Sequence, residues 1–513
     1  MLQINQLTLT HTYDLKDIVN NLNLVLNVGD KAVLIGEEGN GKSTLLKYIY
    51  NPKLVSDYIE AKGSVNSINE SLAYLPQELP TEVGNQTIYD YFSNQEMFWQ
   101  ALPNELNQLA RQFNLDDCIY YSDQLMKSLS GGEKVKLQLM ALRLKKASIL
   151  LLDEPSNDID TNTLEVLEQF INQFDGIVLF ISHDETLIEH TANKVIHMER
   201  ILRKKESKVT VANMDYSTYV KTRAASIEKT NQQAANDARA KRIRDEKYMR
   251  VYQSVEHALR NVSRQAPNVA KNLKDKMHTV KSMGKRFDKA DEQMTHAVDV
   301  EESINFQFNI DFKGIKEGKK VLEYHLDELT IEDKLLATNI DLTIKGSSKV
   351  CIIGKNGCGK TTLIKKIAKE LAKRNDIIMQ YMPQNYLDAL NLSIDPVNYL
   401  MEMTKESKET VMTYLGALKF TFDEMNHSIS MLSGGQKAKL FLIQMALSKA
   451  NVLILDEPTR NFSPLSQPVI RQMLAQFNGA ILSVSHDRKY IEQVCDKIYE
   501  LTNDGLVEKE KNC

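Results

Sequence analysis

Hydrophobic residues recur along this chain with two different periods, and the change from one to the other divides it. Near the start the apolar positions alternate, as Leu2, Ile4, Leu7, Leu9 and then Leu22, Leu24, Leu26, Val28. That pattern predicts β-strands with one buried face. Short apolar runs follow at 32–35, 149–152 and 177–181, far below the ~20 residues a membrane span needs. From Tyr248 the rhythm becomes helical, with Tyr252, Val255, Leu259 and Val262 at steps of four and three. It resumes after Pro267 at Val269, Leu273, Met277, Val280, Met283, Phe287, Ala290, Met294 and Val298. A proline cannot sit inside a helix, so the pattern predicts two helices joined near 263–268 and packed antiparallel. The first, over 216–264, would be about 70 Å long at ~1.5 Å per residue. A simple connection between domains needs only a handful of residues.

Chemistry concentrates where the short apolar runs end. The run at 32–35 leads into Gly36-Glu37-Glu38-Gly39-Asn40-Gly41-Lys42-Ser43-Thr44, a P-loop pattern before the apolar helical residues Leu45, Leu46 and Ile49. Its glycines let backbone N–H groups turn toward phosphate oxygens at a helix N-terminus, where the dipole favours negative charge. Lys42 would reach the β- and γ-phosphates of a nucleotide, and Ser43 would ligate Mg²⁺. Further on come Gln77, the stretch Leu129-Ser130-Gly131-Gly132-Glu133, then Asp153-Glu154 closing the run at 149–152, and Ser182-His183-Asp184. A strand ending in two carboxylates places them at the carboxyl edge of a parallel sheet, where open α/β folds bind ligands. Asp153 would hold the metal, and Glu154 would polarise the attacking water.

The second half repeats the set, with Gly354-Lys355-Asn356-Gly357-Cys358-Gly359-Lys360-Thr361-Thr362, Gln384, Ser433-Gly434-Gly435, Asp456-Glu457 and Ser485-His486. Serine to aspartate is 23 residues in both halves, and aspartate to histidine is 30 in both. Equal spacing of this kind marks a tandem duplication.

Composition changes the picture at one point only. The 513 residues, 42% apolar and 26% charged, are ordinary for a chain of two or three globular domains. Between Val220 and Ala290, however, 18 Lys/Arg face 7 Asp/Glu, a net +11 that leaves −15 for the rest of a chain whose total is −4. A basic spine between acidic halves points to a polyanion such as nucleic acid, or to a solvated coiled-coil face. Five cysteines lie scattered without metal-ligand spacing, as reduced thiols of a cytosolic protein would. Strand-like residues from Leu2 leave no room for a signal peptide.

These motifs resemble the nucleotide-binding domains of ATP-binding cassette (ABC) proteins, twice in one chain. The resemblance covers about 2–205 and 303–508. It implies an α/β fold of two tandem P-loop cassettes, 1–205 and 303–513, joined by a long antiparallel α-helical hairpin within 206–302. In that family two cassettes close head to tail, each ATP lying between one P-loop and the other signature. Carried over, site one joins Gly36, Gly39, Asn40, Gly41, Lys42, Ser43, Thr44, Gln77, Asp153, Glu154 and His183 to Ser433, Gly434 and Gly435. Site two joins Gly354, Asn356, Gly357, Gly359, Lys360, Thr361, Thr362, Gln384, Asp456, Glu457 and His486 to Ser130, Gly131 and Gly132. The glutamates and histidines are the catalytic candidates; Ser43, Gln77, Asp153, Thr361, Gln384 and Asp456 are the Mg²⁺ candidates. Tyr13 fits the family's adenine-stacking aromatic, whereas Ile331-Glu332 occupies that region in the second half. The turn after Glu154 ends in Asp160, while the one after Glu457 has Ser463 at that place. Both halves keep a glutamate, so both are expected to hydrolyse ATP.

Among cassette proteins, Met214-Asp215-Tyr216-Ser217-Thr218-Tyr219 is similar to the element that opens the linker of the ABC-F family, ribosome-associated ATPases. That resemblance implies a cytoplasmic protein binding the exit-tRNA site of the ribosome, its hairpin tip near 260–270 toward the peptidyl-transferase centre. The partners implied are large-subunit rRNA and P-site tRNA, and the chain would be a monomer whose cassettes pair internally. The run at 457–464 resembles resistance factors against pleuromutilins, lincosamides and streptogramin A. A general translation factor and the ATP-binding subunit of a transporter are the alternatives. Arg239, Lys241, Arg242, Arg244, Lys247, Arg250, Arg260, Arg264, Lys271 and Lys274 would meet RNA phosphates. At the tip, Asn261, Ser263, Gln265 and Asn268 are small or polar enough for an RNA-lined cavity.

Overall fold

The computed structural model describes residues 1–511 apart from 69, 202, 203, 205, 262–266, 293, 296, 299–314, 317, 332 and 333. The chain divides into two compact units, one of 1–216 with 301–513 and one of 217–300.

In the first unit the duplicated motifs become duplicated sheets. The first cassette has a six-stranded sheet ordered Leu72–Leu75, Ile149–Asp153, Ile177–Ile181, Lys31–Ile35, Lys194–Ile201, Glu206–Ala212. The second repeats that order as Met379–Met382, Val452–Asp456, Ala480–Val484, Lys349–Ile353, Lys497–Thr502, Gly505–Lys509. All neighbours are parallel except the last pair of each sheet. Helices cover the parallel strands, which is why 149–153 and 177–181 are buried at every position.

The strand Glu206–Ala212 corrects the boundary expected from sequence. It pairs antiparallel with Lys194–Ile201, so the first cassette runs to about residue 216 and not to 205. The opening alternation does bury Leu2, Ile4, Leu7 and Leu9, each at most 1% exposed. The step of three from Ile4 to Leu7 stays on one face because the ladder with Asp17–Leu26 shifts register there, with Gln6 at φ +47°. Val28 does not belong to that face; it lies beyond the strand end and is exposed.

The two cassettes pack on one another through polar contacts, several of them buried. Arg471 Nη2 donates to Glu185 Oε2 at 2.6 Å, both side chains under 10% exposed, and Lys489 approaches the other Glu185 oxygen at 3.1 Å. Gln467 Nε2 donates to the His183 carbonyl at 2.8 Å, and Arg460 pairs with Asp158 at 2.8 Å. Breaking a buried pair costs more than the pair contributes, because one charge is left without its partner. Arg471→Met is expected to lower the unfolding free energy by about 3 kcal/mol, read as a lower denaturant midpoint at unchanged slope.

The second unit is the hairpin, with helices Tyr216–Arg260 and Pro267–Asp291. The first is 45 residues, roughly 67 Å at ~1.5 Å per residue. The second begins at its proline, where a missing N–H costs nothing. The first is described to Arg260, and the expected end at 264 lies outside the described residues; the second stops at Asp291, before Met294 and Val298. Asp291 ties that end down, accepting from Arg244 at 2.6 Å and Lys241 at 2.8 Å. Tyr248 meets Phe287 edge-on with centroids 5.7 Å apart, and the Arg244 guanidinium lies 4.7 Å from the Phe287 centroid. The hairpin is pinned by a few contacts while most of its surface stays in solvent.

Candidate functional site

Each P-loop is a glycine cradle at a helix start. The first helix, Lys42–Tyr50, begins directly after Gly41 at φ +86°, and the second, Lys360–Leu371, after Gly359 at φ +99°. A side chain at Gly41 would collide with Ile18, since a Cβ there would lie 1.9 Å from its Cγ2. Lys42 Nζ bonds its own loop carbonyls, Gly36 at 2.9 Å and Glu37 at 3.0 Å. Lys360 does the same with Gly354 at 2.7 Å and Lys355 at 2.9 Å. Burial pushes the Lys42 ammonium below its ordinary pKa, against the pull of Glu154, Glu37 and Glu38.

The carboxylate pairs sit at the ends of their strands, as the motif spacing predicts. Asp153 is fully buried; Ser43 Oγ donates to one oxygen at 2.8 Å and Tyr74 Oη to the other at 3.0 Å. Burial raises its pKa, against these two hydrogen bonds. Asp456 is likewise raised by burial, and Thr361 bonds to it. Its Oδ2 is buried with no hydrogen-bond partner among the described residues. Asp456, Thr361 and Gln384 line one cavity of about 360 Å³ with Glu457 and His486. An unpaired buried carboxylate oxygen beside a hydroxyl and an amide is a hard-oxygen donor set, which fits Mg²⁺.

Both candidate catalytic glutamates adopt a backbone that non-glycine residues rarely take, Glu154 at φ +51° and Glu457 at φ +54°. The turn is held by Glu154 N–H donating to Ile181 O at 3.1 Å and Glu457 N–H to Val484 O at 2.9 Å. Their surroundings then diverge. Glu154 Oε1 lies 3.4 Å from His183 Nε2, while Oε2 accepts from Gln77 at 2.9 Å and from Asn157. Burial works to raise Glu154, but His183, Lys42 and Asn157 bring it down to about 2. Glu457 is pushed up to about 8 by burial and by Asp456 beside it. His486 is 4.0 Å away and is itself lowered to about 4 by burial and Lys360. One glutamate is held as a carboxylate; the other accepts the His486 N–H at 3.3 Å, which does not offset its burial.

The predicted head-to-tail pairing is present. In the first site the P-loop faces the second signature, with the Gly435 N–H donating to the Glu38 carboxylate. His183 Nδ1 is 3.0 Å from the Phe462 carbonyl, which fixes its ring across the interface. In the second, Ser130 and Gly131 line the same cavity as Gly357, Gly359 and Lys360. Both signature serines cap their helices, Ser130 accepting from Glu133 N–H and Ser433 from Gln436 N–H.

Gln77, a Mg²⁺ candidate, donates through Nε2 to Glu154. Tyr13 is 81% exposed, and Ile331 lines the second cavity. On the hairpin Arg239, Arg242, Lys247, Arg250, Arg260, Lys271 and Lys274 are exposed. Lys241 and Arg244 are half-buried and engaged by Asp291, and exposed Arg260 donates to Glu256 at 2.8 Å. Arg264, Ser263, Gln265 and Glu332 lie outside the described residues. Sequence reasoning missed Tyr74, although its repeat at Tyr381, three before Gln384 as Tyr74 is before Gln77, is visible in the sequence. It also missed Glu37, Glu38 and Arg460, whose partners are hundreds of residues away.

A family model described as "ABC transporter" matches residues 19–157 and 337–460. The chain is 27% identical to the ATP-binding protein Uup of Buchnera aphidicola, over 96% of this chain and 79% of that protein. It is 29% identical to the ribosome protection protein VmlR of Bacillus subtilis, over 98% and 88%. With ABC transporter F family member 5 of Arabidopsis thaliana it shares 28%, over 94% and 72%. Among solved structures, the archaeal ribosome recycling factor aABCE1, in complex with the ribosomal stalk protein aP1, has the same fold. The TM-score is 0.58 at 15% identity, covering 98% of this chain and 90% of that one.

Proposed function

The chain belongs to the ABC family and is an ATPase; on that premise we propose that it works on the ribosome as an ABC-F factor, and there protects the peptidyl-transferase centre from antibiotics. The observation that carries this reading is the hairpin. Two cassettes, each with a P-loop, a signature, an aspartate–glutamate pair and a histidine, flank it, and its first helix, about 67 Å long at ~1.5 Å per residue, turns exposed cations to solvent. Among the described residues no helix is long and apolar enough to cross a membrane. Relatives named for ribosome protection and for the F family align along nearly the whole chain.

In the reading, ATP joins the halves. Each ATP would meet backbone N–H groups at the starts of two helices, one after a P-loop and one after the other cassette's signature. Mg²⁺, held through Ser43 with Asp153 and Thr361 with Asp456, would neutralise charge on the β- and γ-oxygens. Glu154 and Glu457 orient and polarise the attacking water, with His183 and His486 beside them. Loss of the γ-phosphate removes what the signatures hold, and the clamp opens. The hairpin enters the exit-tRNA site while the clamp is closed, reshaping the drug site or the P-site tRNA, and leaves after hydrolysis.

Deleting this chain from its host is expected to raise susceptibility to lincosamides, pleuromutilins and streptogramin A. Unchanged susceptibility to all three would reject the protective role and leave the general translation factor.

A further inference from the structure

The two cassette interfaces have opposite polarity at one matching position. The turn after Glu154 ends in Asp160, and its counterpart after Glu457 is Ser463; the P-loop residue at the facing place is Glu37 in the first cassette and Lys355 in the second. Glu37 is 6% exposed. Its Oε1 accepts from Ser463 Oγ at 2.9 Å and from Ser466 Oγ at 2.6 Å, and its Oε2 lies 3.6 Å from Nζ of buried Lys439 on the second signature helix. The Glu37 carbonyl meanwhile accepts from Lys42 Nζ at 3.0 Å. One residue therefore seats on the other cassette and shapes the loop that holds the phosphate-binding lysine. At the opposite interface Asp160 and Lys355 line one cavity, and the counterpart of Lys439 is Lys136. Each interface carries one carboxylate at this position, on the P-loop in the first and on the partner's turn in the second.

We propose that Glu37 supplies in trans the carboxylate that the second cassette's turn lacks, as a positioning residue that couples closure of the first ATP site to the seating of its P-loop. The same polarity selects partners. Two first cassettes from separate chains would set Glu37 against Asp160. Two second cassettes would set Lys355 against Lys439, with Ser463 in place of a carboxylate. A second carboxylate on buried Glu37 is strongly disfavoured, while exposed Lys355 adds less against Lys439, so the arrangement favours pairing of unlike cassettes within one chain. Neither consequence depends on a role at the ribosome.

The test is a charge exchange in the full chain. Ser463→Asp sets a second carboxylate on Glu37 and is expected to lower kcat by about tenfold or more, with ADP affinity retained because ADP needs only the P-loop. Ser463→Asn, of the same shape without the charge, should keep most of the activity. Glu37→Lys alone removes the carboxylate and faces Lys439, and should be similarly impaired. Glu37→Lys with Ser463→Asp recreates the Lys355, Asp160, Lys136 set of the other interface and should return kcat to within about threefold of the starting chain. A double variant no better than the worse single, or a Ser463→Asn as damaging as Ser463→Asp, would overturn the proposal.

Discussion

Replacing both Glu154 and Glu457 with glutamine is expected to lower ATP turnover by about 10²–10⁴-fold while leaving ATP binding within about threefold. The amide keeps the shape of the carboxylate and removes its ability to accept a proton or polarise water. Neither glutamate belongs to the P-loops or signatures, whose backbone N–H groups and lysines would hold the phosphates. The single variants should not be equivalent. Glu154 is held ionised, down to about 2, by His183 and Lys42 against its burial, whereas Glu457 is pushed up to about 8 by burial beside Asp456. Glu154→Gln is therefore expected to remove the larger share of turnover. Steady-state phosphate release from the four combinations checks this, with nucleotide binding measured on the same samples. Equal losses in the two singles would show that ATP and Mg²⁺ erase the difference between the sites.

The second large effect concerns the hairpin. Changing Arg239, Arg242, Lys247 and Arg250 together to glutamine is expected to weaken ribosome binding by about ten- to a hundredfold at near-physiological salt. All four are exposed. Arg242 has only a loose pair with Glu246 at 3.7 Å on the same helix, which phosphates would outcompete. The slope of log affinity against log salt should flatten by about 0.7–0.9 for each phosphate that is no longer neutralised. ATP turnover without ribosomes should not change, because these residues lie in the unit separate from the cassettes. Changing Lys241 instead should act through the fold of the hairpin, since it holds Asp291 at 2.8 Å. A binding assay across a salt series, with both sets of variants, separates the two roles.

What could be read from the sequence follows from how local each signal is. A P-loop, a signature and a strand closing in two carboxylates are contiguous runs, and each lands where its spacing places it. Glu154 and Glu457 both emerge at strand ends, one position after a buried aspartate. The repeat made the second set legible from the first. Boundaries were less visible, because Glu206–Ala212 is a short, half-exposed edge strand with weak alternation. The helical rhythm also overran the helices, since Met294 and Val298 keep the spacing after Asp291 has ended the second one. Contacts across the interface left no local trace at all. Glu37 and Ser463 are 426 residues apart, and only the missing aspartate at Ser463 hinted that something else must fill its place.

Co-sedimentation of the Glu154→Gln, Glu457→Gln chain with ribosomes and with membranes, in ATP and in ADP, reads out where the closed clamp binds. This chain is expected to pellet with ribosomes in ATP, to be released in ADP, and to stay out of the membrane fraction. Recovery with membranes, or equal ribosome recovery in ATP and ADP, would contradict the ribosomal role.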